Sequence, residues 1–416
     1  MGICASRNQQ QSHSVITPWK HPSVSVSSLH LHSHIDSITS CAISDDGIWF
    51  ATAGADGDVK VCHAIDPISY SLSHIHSVHW SHSSPCPSTY DPDDITHFGA
   101  FDVSSLCFSP PDSPFPVLLT GSVNNAVRSW DLRTGKIIHL FTSFQGQASS
   151  LEFSHEDPSV FLFTNDPPSD MFSSIVAVCN VKGKELRRRN FHLTNTRAIW
   201  SKVNSTIIVA GLSGSTPKLI FYDFVKNSFV NIEVVLRAPV TAVDLVLIGD
   251  GSHFAVRWEV DVAFMDYHLP SWEHFYIHNT STGNLVKKLN ICQNPDLIDS
   301  SFFYRFNKSV YNNEFLLSLS TQEGPVSVFK GEYSLPDITE LVTFPSGVSL
   351  LDLSIEQQVL VLSRDGCCVQ VWSLVSNECV FEISDGSKVV SGCICRVSGK
   401  ILVGFDNGKV LTVKCN

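Results

Sequence analysis

Along most of the chain one unit of strand and turn signals keeps returning, and such a repeat constrains the architecture more than any other feature of the sequence. An apolar alternating strand is followed by a short polar turn, then a very apolar strand and a Gly/Asp/Asn turn. A third alternating strand and a weaker, more polar fourth close the unit. The cleanest copy begins at His34, HIDSITSCAISDDGIWFATAGADGDVKVCHA, with strands expected at about 38–43, 48–53 and 59–63. Between them lie Asp45-Asp46-Gly47 and Asp56-Gly57, residues that tolerate the backbone of tight turns. A second copy spans 104–136, where Trp130-Asp131 ends the third strand and Arg133-Thr134-Gly135 turns into the fourth.

Six fainter copies follow, over 149–181, 197–224, 240–279, 300–331, 348–374 and 389–415. The sixth of the eight has SSFFYRF as its expected first strand, and spacings run from about 41 to 66 residues, the longer ones holding insertions. No long amphipathic helix interrupts the series. A chain of 416 residues normally divides into several cores, but stacked repeats extend one core indefinitely. The last copy ends on a third strand, and Val24 to His32, VSVSSLHLH, alternates as a strand ahead of the first copy. That segment is expected to supply the missing fourth strand, so that no sheet edge stays open at the seam.

The Trp130-Asp131 strand end, the paired turns and the period resemble WD40 repeats. In that family a His before the first strand, a Ser/Thr in the second, an Asp in the turn and a Trp ending the third share a structural hydrogen-bond network. The resemblance assigns His34, Thr52 and Asp56 to that network in the first copy, with Cys62 where Trp is expected. In the second copy it assigns Thr120, Trp130 and Asp131, with Asn124 at the Asp position and Asp102 near the His position. In the seventh it assigns Asp365 and Trp372, across a turn one residue longer. The implied fold is all-β: a WD40-type β-propeller over 23–416, of eight blades with seven as the alternative, closed by the N-terminal strand.

Charged residues make up 16% of the chain, against roughly 25% in an average soluble domain, which suits a chain buried mostly in strands. The net charge of −12, with 28 Lys and Arg, argues against a nucleic-acid partner. One local exception is the basic run of Lys182, Lys184 and Arg187 to Arg189, read first as charges that blunt an exposed edge strand and second as a contact to acidic lipid or protein. Thirteen Cys lie mostly within apolar runs, with no paired C-x-x-C array and no secretory signal, so they read as buried free thiols in a reducing compartment. The sequons at Asn204, Asn279 and Asn307 then carry no meaning. No apolar run reaches the length of about 18 residues expected of a membrane span.

The sequence carries no G-x-S-x-G elbow, no H-E-x-x-H and no glycine-rich phosphate loop opening a helix. Gly211 to Ser215 reads as a strand-to-strand turn. Histidines are in excess, with His30, His32 and His34 alternating along one strand and His74, His76, His79 and His82 near Cys86. Alternation puts side chains on one face, as a metal site would need, but His34 already has a structural place; no metal, cofactor or small-molecule substrate is expected. The insertions at 77–102 and 260–273 are more promising, because in this family both kinds of loop share one rim. Trp80, Tyr90 and Asp93 in the first and Tyr267 and Trp272 in the second are the candidate partner-binding residues, aromatic anchors among acids. The alternative is that these rings pack down on their own blades.

Residues 1–22 read as a flexible tail, and Met1-Gly2-Ile3-Cys4-Ala5-Ser6 matches the N-myristoylation pattern. Gly2 is the acceptor, and Cys4 beside it is placed for a second, thioester-linked chain. The functional expectation is a non-enzymatic, cytoplasmic scaffold that docks protein partners through its loop rim, with membrane contact through an acylated terminus. The alternatives are a subunit of a nuclear chromatin or RNA-processing complex, and a metal-binding or hydrolytic propeller using the His-rich insertion.

Overall fold

The computed structural model describes residues 24–27, 34, 36–64, 75–81, 103–122, 127–141, 147–166, 174–202, 205–232, 234, 236, 240–248, 251–260, 273–289, 308–311, 314–320, 326–332, 338–354, 357–384, 386–395 and 398–415. These form eight four-stranded antiparallel sheets, with no helix among the described residues. Blade one comprises Ile38–Ile43, Trp49–Gly54, Asp58–Ala64 and Ile75–Ser81. Blade two comprises Val103–Phe108, Val117–Ser122, Val127–Asp131 and Lys136–Phe141. Blade three has Gln147–Phe153, Val160–Asp166, Ile175–Asn180 and Glu185–Asn190. Blade four has Thr194–Trp200, Thr206–Ser213, Thr216–Asp223 and Ser228–Ile232.

Blade five follows with Val240–Ile248, His253–Val260, Glu273–Asn279 and Leu285–Leu289. Blade six has Lys308–Tyr311, Glu314–Ser320, Val326–Glu332 and Ile338–Phe344. Blade seven has Val348–Ser354, Val359–Arg364, Cys368–Ser373 and Glu378–Ser384. Blade eight joins Val389–Ile394, Lys400–Phe405 and Val410–Cys415 to the strand Val24–Ser27 from the other end of the chain. That strand pairs from Val24 opposite Cys415 to Ser27 opposite Thr412.

First strands of successive blades lie side by side from blade six through seven, eight, one, two, three and four to five. This arrangement explains the sequence signals. A second strand such as Val117–Ser122 is buried at every position because a neighbouring blade covers each of its faces, so it reads as a continuous apolar run. A fourth strand such as Glu185–Asn190 is the outermost of its sheet and largely exposed, hence polar. The buried side chains fall into clusters that each bridge two blades: Val117, Leu119 and Phe141 of blade two meet Phe153, Phe161 and Phe163 of blade three. Full burial of each such side chain contributes about 1.5–3 kcal/mol. The core is therefore a succession of interfaces.

The innermost strands carry a second device. In blades one to five, seven and eight their register slips near the first paired residue, as between Ile38 and Ser40 or Leu350 and Asp352. A bulge bends the strand and leaves one residue unpaired within its own sheet. Side chains of these innermost strands, at the bulges and beyond them, reach the next blade's backbone. Thr39 donates to the Val103 carbonyl at 2.6 Å and Ser105 to that of Ala148 at 3.2 Å. Glu152 accepts from the Trp200 N–H at 3.0 Å, and Asp352 from that of Ile394 at 2.8 Å.

Blades eight and one are joined differently. Lys400 is 1% exposed, and its ammonium donates to the Gly47 carbonyl at 2.8 Å while lying 5.2 Å from the Phe50 ring centre. The His34 N–H donates to the Gly408 carbonyl at 3.2 Å, where the chain enters blade one over the last turn of blade eight.

Two expectations need correction. Trp80 does not sit in an insertion: its backbone pairs with Val59 inside the strand Ile75–Ser81, because the polar fourth strand extends past the point where its weak alternation fades. In blade six the described first strand is Lys308–Tyr311, paired antiparallel with Glu314–Ser320. The segment SSFFYRF expected there lies outside the described residues.

Candidate functional site

Buried polar groups can look like catalytic machinery, and blade one holds such a set. His34 Nε2 lies 2.9 Å from Thr52 Oγ1, while its Nδ1 lies 3.1 Å from one Asp56 oxygen and 3.2 Å from the other. A hydroxyl, an imidazole and a carboxylate in line is the order of a nucleophilic triad. Here the hydroxyl and the ring are both buried, so no substrate reaches them, and the set ties the blade's entry to its second strand and turn. In blade two Trp130 Nε1 donates to Thr120 Oγ1 at 2.9 Å. Asp131 instead organises the following turn, accepting from the Arg133 N–H at 2.9 Å.

Blade seven departs from the pattern carried over from the resemblance. Trp372 donates to Asn377 at 3.3 Å within its own turn, and its ring meets Phe344 edge-on at 5.0 Å. Asp365 points into solvent from a left-handed backbone of φ 52° beside Arg364. In blade two Trp130 lies opposite Leu118 and bonds Thr120 two residues further along. In blade seven Leu360 lies opposite Trp372 and the matching position beyond it is Leu362, so no second-strand hydroxyl is available there.

Thiol chemistry is equally suppressed. Burial pushes the Cys62 and Cys179 thiols up to about 12, far from the thiolate form a nucleophile or metal ligand needs. His278 is buried, stacks on Phe254 at 5.2 Å and lies 2.9 Å from the Gly283 carbonyl; burial pushes its pKa down, with that hydrogen bond opposing. No cluster of metal-ligating side chains occurs among the described residues. His30, His32, His74, His82 and Cys86 lie outside them, as do Tyr90, Asp93, Tyr267 and Trp272, together with Gly2 and Cys4.

The structure does assemble one surface site that the sequence reading did not. Between blades three and four, a cleft of about 320 Å³ is lined by Arg189, His192, Lys218, Phe191, Phe229 and Asn231, among others. Its position follows from chain direction. The link 191–193 runs from the fourth strand of blade three to the first of blade four, and the turn 214–215 joins the second and third strands of blade four. Both kinds of connection lie at the same end of the strands. The insertions 82–102 and 261–272 connect the corresponding strands of other blades, so the cleft opens on the rim expected to carry them.

Two strands each present a cation, and the link between the blades adds an imidazole. Arg189 comes from the outermost strand of blade three and lies 5.3 Å from the Phe229 ring centre. His192 sits in the link, held at φ 57° while its N–H donates to the Asn190 side chain at 2.7 Å. Lys218 comes from the third strand of blade four. Phe191 packs edge-on against Tyr222 at 5.4 Å and Phe229 at 5.6 Å, forming an aromatic wall. Burial pushes the Tyr222 phenol up, with Arg189 and Arg187 pulling against it. Among the described residues, no carboxylate belongs to the cleft lining.

Within the basic run the three arginines have separate roles. Arg188 pairs with Glu185 at 2.6 Å on the exposed strand, Arg187 donates to the Phe224 carbonyl at 3.2 Å, and Arg189 turns to the cleft. Only the first fits the reading of charges spread along an edge.

The fold is similar to the solved structure of the Dos1 propeller, with a TM-score of 0.61 at 16% identity over 96% of this chain and 95% of that one. It is similar to Saccharomyces cerevisiae Sqt1, with a TM-score of 0.63 at 14% identity over 93% and 98%. The computationally designed Ika8 protein matches with a TM-score of 0.59 at 16% identity over 93% and 99%. At such identities the likeness is one of fold, and the chain is a β-propeller. No protein-family model matches the sequence, and no curated protein matches it.

Proposed function

We propose that this propeller is a scaffold or adaptor that docks partner proteins on the rim carrying the blade-to-blade links. The observation behind this reading is the cleft between blades three and four, which gathers cations and aromatic rings from separate elements on a rigid frame. In contrast, the triad-like set of His34, Thr52 and Asp56 and the thiol of Cys62 lie within the frame, with His34, Thr52 and Cys62 buried. The loop residues Tyr90, Asp93, Tyr267 and Trp272 belong to the same proposal as further anchors on that rim, while Trp80 is displaced into a strand. The net charge of −12 makes a chromatin or RNA surface the weaker alternative.

Affinity purification of the full chain with mass spectrometry tests the reading. Recovery of stoichiometric protein partners is expected, with a clear reduction when Tyr267 and Trp272 are both replaced by Ser. A chain that purifies alone from every source would sink it.

A membrane tether is the second part of the proposal, resting on Gly2 and Cys4 in Met1-Gly2-Ile3-Cys4-Ala5-Ser6. One myristoyl chain binds a bilayer with an association constant of only about 10⁴ M⁻¹, whereas two chains anchor stably. Cell fractionation is expected to place the wild type with membranes on the cytosolic face and Gly2→Ala in the soluble fraction. Cys4→Ser is expected to bind weakly and reversibly. An acetylated Gly2 in the intact-mass spectrum, or a fully soluble wild type, would contradict the tether.

A further inference from the structure

We infer that the cleft between blades three and four seats an anionic side chain, carboxylate or phosphoryl, on an extended peptide of the partner. The inference rests on the adaptor reading and names the chemistry of one docking point. Arg189, His192 and Lys218 come from a strand, a link and a strand of two different blades, so their convergence is not a by-product of one basic segment. Among the described residues, neither Arg189 nor Lys218 is engaged by a carboxylate. Within a chain of net charge −12 this leaves a local site of positive charge facing solvent.

Size and surroundings narrow the ligand. The cleft holds about 320 Å³. A water molecule occupies roughly 30 Å³ of liquid, so the space fits a whole side chain better than a bare ion. Beside it Phe229 is 41% exposed on the outermost strand of blade four, an apolar surface for the residue next to the anion. Arg189 offers a planar fork of donors suited to two oxygens, Lys218 a point charge, and Asn231 an amide for a remaining oxygen or a peptide group. Polyanions such as nucleic acids or charged bilayers meet the repulsion of the whole molecule, which a single screened side chain largely escapes. A short acidic peptide is the ligand these features favour.

The test uses the full chain and four fluorescent peptide pools with random flanks around a fixed Glu, phosphoserine, Gln or Ser. Anisotropy titrations are expected to show the Glu or phosphoserine pool binding about ten-fold tighter than its uncharged match, with the stronger of the two identifying the oxyanion. Arg189→Gln and Lys218→Gln should each weaken that binding by about ten-fold and together abolish the preference. Both side chains reach the surface, so the melting temperature should not move. The inference is overturned if neither anionic pool is preferred or if the double variant keeps the preference. It is equally overturned if phosphatidylserine vesicles or a single-stranded oligonucleotide bind tighter through the same two residues. Failure here with partners still recovered from the full chain removes the cleft alone, whereas loss of all partners removes the adaptor reading.

Discussion

Replacing Gly408 with alanine is expected to cost about 4 kcal/mol or more of folding stability, placing it among the most damaging single changes in the molecule. Gly366→Ala, at a similar backbone angle, is expected to cost only about 1–2 kcal/mol. Gly408 has φ +76° and Gly366 has φ +68°, so both pay the ordinary cost of a side chain in the left-handed region. They differ in surroundings. A β-carbon at Gly408 would overlap the His34 carbonyl oxygen and stand 2.8 and 2.9 Å from that residue's backbone carbon and nitrogen, whereas one at Gly366 meets nothing within 4 Å. The His34 backbone has little freedom to yield, since its N–H bonds Gly408 and its ring is fixed by Thr52 and Asp56. Denaturant titration of both variants measures the difference; equal losses would show that the crossing at His34 does not constrain the fold.

Asp352→Ala is expected to cost about 3 kcal/mol, with Asp352→Asn falling about midway. One carboxylate oxygen accepts from the N–H of Leu353 at 2.8 Å, and the other accepts from Ile394 of the next blade at the same distance. Alanine leaves both donors without this acceptor at the junction of two innermost strands. Asparagine keeps one carbonyl oxygen and turns an NH₂ toward the other donor, losing one bond and adding a repulsive contact. Amide hydrogen exchange at Ile394 is the direct measurement, and protection there should fall more than at Ile401 on the neighbouring strand. Unchanged exchange at Ile394 would show that the inter-blade bond is dispensable.

Much of the architecture was legible because it depends on periodicities of two and on turn chemistry. Asp56-Gly57 and Asp45-Asp46-Gly47 mark hairpins at the expected places, and Gly57 takes φ +77° there. The strand from Val24 also shows its alternation in the sequence. Blade six was harder, since Lys308–Tyr311 is only four residues long and lacks an apolar run to announce it. The side-chain pairing in blade seven was hidden for another reason: Trp372 fits the resemblance, but its partner depends on the second-strand position that Thr120 fills in blade two, which is Leu362 here.

The cleft lay furthest from view. Its basic component was visible as Arg187 to Arg189, yet nothing in a linear pattern tells that Arg189 meets Phe229 and shares a cavity with Lys218. Periodicity reports the faces of one sheet. How two sheets are offset against each other is decided by side-chain volumes at their interface, such as Phe191 against Tyr222.

The sheet of blade eight joins strands far apart in sequence, which sets an order of events during synthesis. Val24–Ser27 is made before its hydrogen-bonding partner Val410–Cys415, which is translated roughly 380 residues later, and at about 5–20 residues per second that is a delay of about 20–80 s. Through that interval the nascent chain carries an unpaired strand while blades one to seven can form from contiguous sequence. The final pairing is a long-range step of the kind that slows folding. A ribosome stalled before Val410 therefore holds a chain in which Val24–Ser27 still lacks its partner strand.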